Sequence, residues 1–178
     1  TFASARDVRD NPEAASLASF VIFVASTVSV GRVIVWIAVV SPSQAWEMAI
    51  PLGIFLLTMI LISLALAFNS QAGDAPMHEP GNPAELTSAL LFAAIYALIT
   101  LASVAARDYF GSGALFGVAV ISGFVDVDAI TLSTSRQAWE GGIGTSTAWR
   151  VILVAILTNL LFKTGMAGLI GSMPLMKK

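Results

Sequence analysis

Apolar residues run almost unbroken through five stretches of the chain: Leu17–Val40, Met48–Phe68, Leu86–Ala106, Gly113–Ser135 and Val151–Ile170. Each meets the roughly 20 residues an α-helix needs to cross a hydrocarbon core about 30 Å thick. Barrel strands would instead alternate apolar and polar positions over about ten residues, so the pattern predicts five transmembrane helices. The polar punctuation fits. Asn82-Pro83-Ala84-Glu85 has the form of a helix start, with a capping Asn, a proline in the first turn and a carboxylate at the third position, and Asn11-Pro12-Glu13 has it again. Asn69–Gly81 is the longest polar connection and reads as an exposed loop carrying His78. Ser41–Glu47 reads as a short turn, and Gly141-Gly142-Ile143-Gly144 as a flexible break before the last helix.

Thr1-Phe2-Ala3-Ser4-Ala5-Arg6 matches Thr131-Leu132-Ser133-Thr134-Ser135-Arg136: Thr, a bulky apolar residue, three small residues, Arg. About 26 residues after each arginine a cation stands inside an apolar helix, Arg32 in one and Lys163 in the other. The two segments, 1–40 and 131–170, read as a parallel internal repeat. The first copy lacks everything before its Thr, which reads as one membrane domain over 1–178 that begins part-way through a repeat, its missing N-terminal helices belonging to the same polypeptide.

Composition removes most other classes. At 57% hydrophobic and 11% charged, the chain lies far from a soluble domain, which averages about 25% charged residues. A net charge of −2 gives no basic field for nucleic acid. With no cysteine and one histidine, thiolate chemistry and His-cluster metal sites are excluded. The expected class is an all-α polytopic bundle in the cytoplasmic (inner) membrane, with the lipid bilayer as its first partner. Gly113-x-x-x-Gly117, Ala89-x-x-x-Ala93-x-x-x-Ala97 and Thr164-x-x-x-Gly168-x-x-x-Ser172 suit close packing within the bundle or, less well, a homodimer. Trp36, Trp46, Trp139 and Trp149 stand near span ends as interfacial anchors. Five crossings place Arg6, Arg9, Arg136 and Arg150 on one side, assigned to the cytoplasm, and Arg107, Lys177 and Lys178 on the other.

The chemistry is expected where charge enters the apolar runs: Arg32, Asp126, Asp128 and Lys163. A charge at mid-bilayer costs about 2.5–3.5 kcal/mol on insertion scales and marks a functional position by default. Asp126 and Asp128 would lie about 200° apart on a regular helix. Both can face one site only if the backbone near Gly123–Asp128 unwinds, as in the broken helices that line transporter sites. On a regular helix, Asp128, Thr131 and Ser135 share one face and Ser122, Asp126 and Ser133 the other; Asn159 and Lys163 form an i,i+4 pair. Asp126, Asp128, Thr131 and Ser133 are the candidate ligands for a cation, Asp126 and Asp128 its metal-binding carboxylates, and Arg32, Lys163 and Asn159 the charge partners or gate. The structural alternative is that the cations and carboxylates neutralise one another between helices.

Gly123-Phe124-Val125-Asp126-Val127-Asp128-Ala129-Ile130-Thr131-Leu132-Ser133 resembles a bacterial and archaeal membrane-domain family of unknown function that commonly follows an MgtC/SapB-type membrane domain in one polypeptide. Arg9–Glu13, the Arg32–Val35 helix ending at Ser41-Pro42, Asn82–Leu86 and Thr158–Lys163 resemble it too. The resemblance implies a polytopic inner-membrane protein with further helices before residue 1, and it suggests magnesium homeostasis by association. The expected function is transport or homeostasis of an inorganic cation, such as divalent magnesium, through an intramembrane carboxylate site. The alternative is a non-transporting regulatory or assembly subunit. No enzymatic activity and no bound cofactor are expected; a divalent cation would be substrate.

Overall fold

The computed structural model describes residues 12–69 and 86–172. Thr1–Arg6, and with them the first copy of the repeat motif, lie outside the described residues, as do most of the Asn69–Gly81 loop, Asn82–Glu85 and Lys177-Lys178. The elements are helices α1 (Pro12–Val40), α2 (Ala45–Asn69) and α3 (Leu86–Phe110), a 3-10 turn at Ser112–Ala114, then α4 (Leu115–Val125), α5 (Val127–Trp139) and α6 (Thr145–Ser172). There is no strand among the described residues.

Four helices are long and apolar enough to cross a membrane, over Phe23–Val40, Ala45–Ala65, Leu90–Phe110 and Thr145–Met166. With their outward Val28, Ile54, Leu61, Leu98, Leu101 and Leu161 exposed, they mark a multi-pass membrane protein. The apolar surface that water would reject is the surface lipid accepts. The expected stretch Gly113–Ser135 differs: it is divided at Asp126 into α4 and α5, and neither half alone is long enough to span.

Contacts fix how the halves run. The α1–α2 turn meets the end of α5, where Gln44 Nε2 donates to the Ala138 carbonyl at 2.9 Å. The start of α6 meets the start of α2, where Thr145 Oγ1 donates to Glu47 at 2.7 Å. The end of α3 reaches the same place, with the Arg107 guanidinium against Gly142. Residues 41–47, 107–114 and 137–145 therefore share one end of the bundle, called here the turn face. From it α4 runs inward along α6 until Gly123 touches Ala155 and Thr158, roughly 15–20 Å along α6 at 1.5 Å per residue. α5 then returns to the turn face. Arg107 and Arg136 thus stand at the same end of the molecule, which corrects the expectation of opposite sides. Five straight crossings would separate them; a chain that doubles back does not. Exposed Trp46, Tyr109, Phe110 and Trp139 ring this end, as aromatic side chains do at a headgroup layer.

Two glycines are fixed by geometry. A Cβ on Gly123 would lie 2.7 Å from the Ala155 carbonyl and 2.8 Å from Thr158 Cβ, so the close approach of α4 to α6 depends on its absence. Gly141 has φ +74° and ends α5 in a Schellman motif: Gly142 N–H donates to the Gln137 carbonyl at 2.8 Å and Gly141 N–H to that of Ala138 at 3.1 Å.

The core is formed by Val30, Val33 and Ile37 of α1, Met48 and Leu52 of α2, Leu115 and Ala119 of α4, and Val151, Ile152 and Ala155 of α6. α5 lies among them, packed against α1, α3 and α6. It is the most polar helix and the most completely enclosed. Asp128, Thr131, Ser133, Thr134, Ser135 and Gln137 are all buried in it.

Candidate functional site

The break begins with Ser122. Its Oγ donates to the Asp126 carbonyl at 2.9 Å, while Asp126 N–H donates to the Ser122 carbonyl at 2.8 Å. This pair of bonds closes α4 and leaves Asp126 extended, at φ −158° and ψ 144°. Asp126 then caps α5, its Oδ1 accepting from Asp128 N–H at 3.2 Å. A short polar acceptor with extended backbone is what a helix N-terminus selects. Breaking the helix frees carbonyls that would otherwise bond four residues on. Asn159 of α6 takes one of them, its Nδ2 donating to the Gly123 carbonyl at 2.8 Å. The break is therefore held from both sides, by Asp126 within the chain and by Asn159 from the neighbouring helix.

Asp128 sits in the first turn of α5 and pairs with Arg32 of α1, Nη2 to Oδ2 at 2.8 Å. The pair is lopsided: the Asp128 side chain is 11% exposed and that of Arg32 55%. The second oxygen, Oδ1, is buried and has no hydrogen-bond partner among the described residues. Asp126 and Lys163 are both near enough for their charges to act on Asp128. Lys163 is half-buried on α6 and joins none of the ion pairs found among the described residues.

The structure thus brings Arg32, Asp126 and Asp128 together and sets Asn159 at the break. Thr131 lies on the Asp128 face of α5, fully buried, its Oγ1 donating to the Val127 carbonyl at 2.8 Å. Ser133 lies on another face and accepts from Gln137 Nε2 at 3.3 Å. No group of three or more His, Cys, Asp or Glu side chains converges among the described residues. The carboxylate site therefore consists of two aspartates, with hydroxyls and backbone oxygens around them. A cavity of about 20 Å³ lies beside it between α1, α5 and α6, lined in part by Ser26, Ser29, Val127 and Asn159. That is room for one water; neither aspartate lines it.

Several participants carry little signal as single residues, although Ser122 and Ser135 are legible as face neighbours of Asp126 and Asp128 on a regular helix. Gln44, which bonds α5 across 94 positions, reads in sequence as a turn residue. Ser122 reads as a small polar residue in an apolar run. Thr134, Ser135 and Gln137 hold buried side-chain oxygens without partners among the described residues. The signal that marks them is collective, a density of polar side chains inside a segment that must be enclosed.

No solved structure matches the chain. An uncharacterized protein of Aquifex aeolicus (strain VF5) is 36% identical over 117 residues, which is 66% of this chain and 51% of that protein. The chain thus spans about half the length of this curated relative. A family profile described as a domain of unknown function, DUF4010, matches residues 1–171. On that match over nearly its whole length, the chain belongs to the DUF4010 family.

Proposed function

We propose that this domain moves an inorganic cation across the cytoplasmic membrane, or controls its movement, with Asp126 and Asp128 as the carboxylate site. In this reading α1, α2, α3 and α6 cross the bilayer, and α4 and α5 form a re-entrant hairpin whose tip is the break at Asp126. Irregular backbone at membrane depth is tolerated where protein encloses it, and α5 is enclosed. The observation that supports the reading most is this break. It adjoins two carboxylates at mid-depth that a continuous helix would turn to opposite faces, and it leaves Asp128 Oδ1 buried without a protein donor. A cation arriving at Asp128 displaces Arg32, whose half-exposed side chain has room to swing away. Exchange of one positive partner for another keeps the buried carboxylate neutralised throughout, which lowers the barrier to passage.

Two carboxylates with hydroxyls and carbonyls suit a small, partly hydrated cation as cargo. Magnesium is bound in this way, through one or two carboxylates while it keeps several waters. It is the first cation to assay, because the resemblance carried by Gly123–Ser133 suggests magnesium homeostasis by association.

The Arg32–Asp128 pair at 2.8 Å also favours a second reading, a non-transporting regulatory or assembly subunit in which the charges only join α1 to α5. Purified protein in liposomes loaded in turn with dyes sensitive to Mg²⁺, Na⁺ and H⁺ separates the two. The transport reading predicts flux from the native protein and at least a tenfold loss in Asp128→Asn, with the variant still folded. Absence of flux from folded native protein with Mg²⁺, Na⁺ or H⁺ supports the second reading and ends the first.

A further inference from the structure

One side of the bundle is open. α1 and α3 both pack on α5 and hardly touch each other, so a strip of α5 shows between them. Asp128, Leu132, Arg136 and Trp139 follow at i, i+4, i+8 and i+11, which is one face of a helix. The strip is tied to both neighbours. Asp128 holds Arg32 of α1, and Tyr96 of α3 is near enough to Arg136 for the two to interact. Exposure grows along it, from buried Asp128 through half-buried Leu132 to exposed Arg136 and Trp139. The charges of this side form two ion pairs at two depths. Arg32–Asp128 is the deeper, with Arg32 about 12 Å in from Val40 at 1.5 Å per residue. Arg136–Glu140, Nε to Oε1 at 2.8 Å, lies near the turn face. Both arginines look outward: their side chains are 55% and 66% exposed.

Hydrocarbon does not suit such a side, since charges within a membrane face protein or water rather than lipid. Arg32 is held on Asp128 at depth, so it does not escape by extending to the headgroups. The charges also select the partner. Each depth carries one cation and one carboxylate, so the side is neutral and calls for no excess of opposite charge. A second copy, related by a two-fold axis along the membrane normal, presents the same groups at the same depths. The two-fold reverses the second copy's ion pairs in the membrane plane, which sets cation against carboxylate. Each guanidinium has five N–H donors, enough for a carboxylate in either copy. We infer that the α1–α3 side is the interface of a homodimer, with Leu132 near the two-fold axis and the second copy closing over Arg32. The second copy thereby completes the candidate site, covering the exposed half of the Arg32–Asp128 pair. The inference rests on α1 crossing the bilayer, as in the reading above, and not on transport.

The chain has no cysteine, so single cysteines can be read without background. The test uses the full chain in membranes and a short bismaleimide. Leu132→Cys should give at least five times the dimer band of Leu161→Cys or Ile54→Cys, which are exposed on α6 and α2, away from this side. In nanodiscs, single-molecule photobleaching should show Arg32→Gln and Arg136→Gln each weakening the dimer at least tenfold. Arg150→Gln, exposed on α6, should leave it unchanged. Folded protein that stays monomeric at every protein-to-lipid ratio overturns the interface, as do dimers crosslinked through Leu161 or Ile54 and not through Leu132. A lipid-borne maleimide that captures Leu132→Cys as fast as Leu161→Cys puts lipid on this side and overturns it too, as does crosslinking of Leu132→Cys to a different polypeptide. Should Arg32→Gln fail to fold, Arg136→Gln and the Leu132→Cys crosslink decide. Crosslinking reads association and not flux. A monomer that carries flux sinks the interface alone, and a dimer joined through Leu132 without flux sinks the transport reading alone.

Discussion

Asp128 has one oxygen on a guanidinium and one on nothing the described chain provides, and this asymmetry sets what substitutions do. Asp128→Asn leaves Arg32 without its counter-charge. Removing one partner of a fully buried pair costs about 3–5 kcal/mol; with Arg32 half-exposed, the expected loss is about 1–3 kcal/mol, read as a lower melting temperature in detergent. Adding Arg32→Gln should recover most of it, because the orphaned charge is then gone. A double-mutant cycle with no coupling would show that the pair does not hold α1 to α5. Asn159→Leu strands the Gly123 carbonyl at the break and is expected to cost about 1–3 kcal/mol, where an exposed substitution such as Ser43→Ala stays within about 0.5 kcal/mol. At this scale much was legible. Arg32, Asp126 and Asp128 stand out because charge inside an apolar run is costly. Asn159 was legible as a polar residue at depth but its partner was not. Which carbonyl it bonds depends on where the helix breaks, and that is settled by packing between α4 and α6.

The break itself was legible only as a condition: both aspartates could share a site if the backbone near Gly123–Asp128 unwound. The sequence could not decide it, since Gly113–Ser135 reads equally well as one continuous span. What decides it is a set of local bonds, Ser122 closing α4 and Asp126 opening α5, together with Gly123, which lets α4 come close enough to α6 for Asn159 to reach the freed carbonyl. Gly123→Ala puts a methyl against a backbone oxygen and Thr158. It should destabilise by about 1–3 kcal/mol, as overpacking does, and weaken the α4–α6 contact first. Gly117→Ala, two turns earlier on the same helix and with nothing within 4 Å of its Cβ, should be neutral or stabilising by up to about 1 kcal/mol from helix propensity. Thermal unfolding of the two variants side by side checks the contrast; equal effects would mean that the close approach at Gly123 carries no energy.

For the whole molecule, length alone misleads. The run from Gly113 to Ser135 is as long as one crossing, and the pattern of apolar residues does not say whether a broken segment goes through or turns back. Only contacts far apart in sequence reveal the return: Arg107 against Gly142, Gln44 on Ala138, Thr145 on Glu47. That return gives the polar helix a buried axis, sets the break and its two aspartates part-way along α6 and leaves both ends of the hairpin on one face. The measurement that tests this most directly is the sidedness of Ser112 and Gly144, exposed positions at the two ends of the hairpin. In intact cells and inverted vesicles, Ser112→Cys and Gly144→Cys should react with an impermeant thiol reagent from the same side, the side that also labels Ser43→Cys. Labelling of Ser112→Cys from one side and Gly144→Cys from the other would mean that the segment crosses the membrane, and would contradict the hairpin on which the proposed site is built.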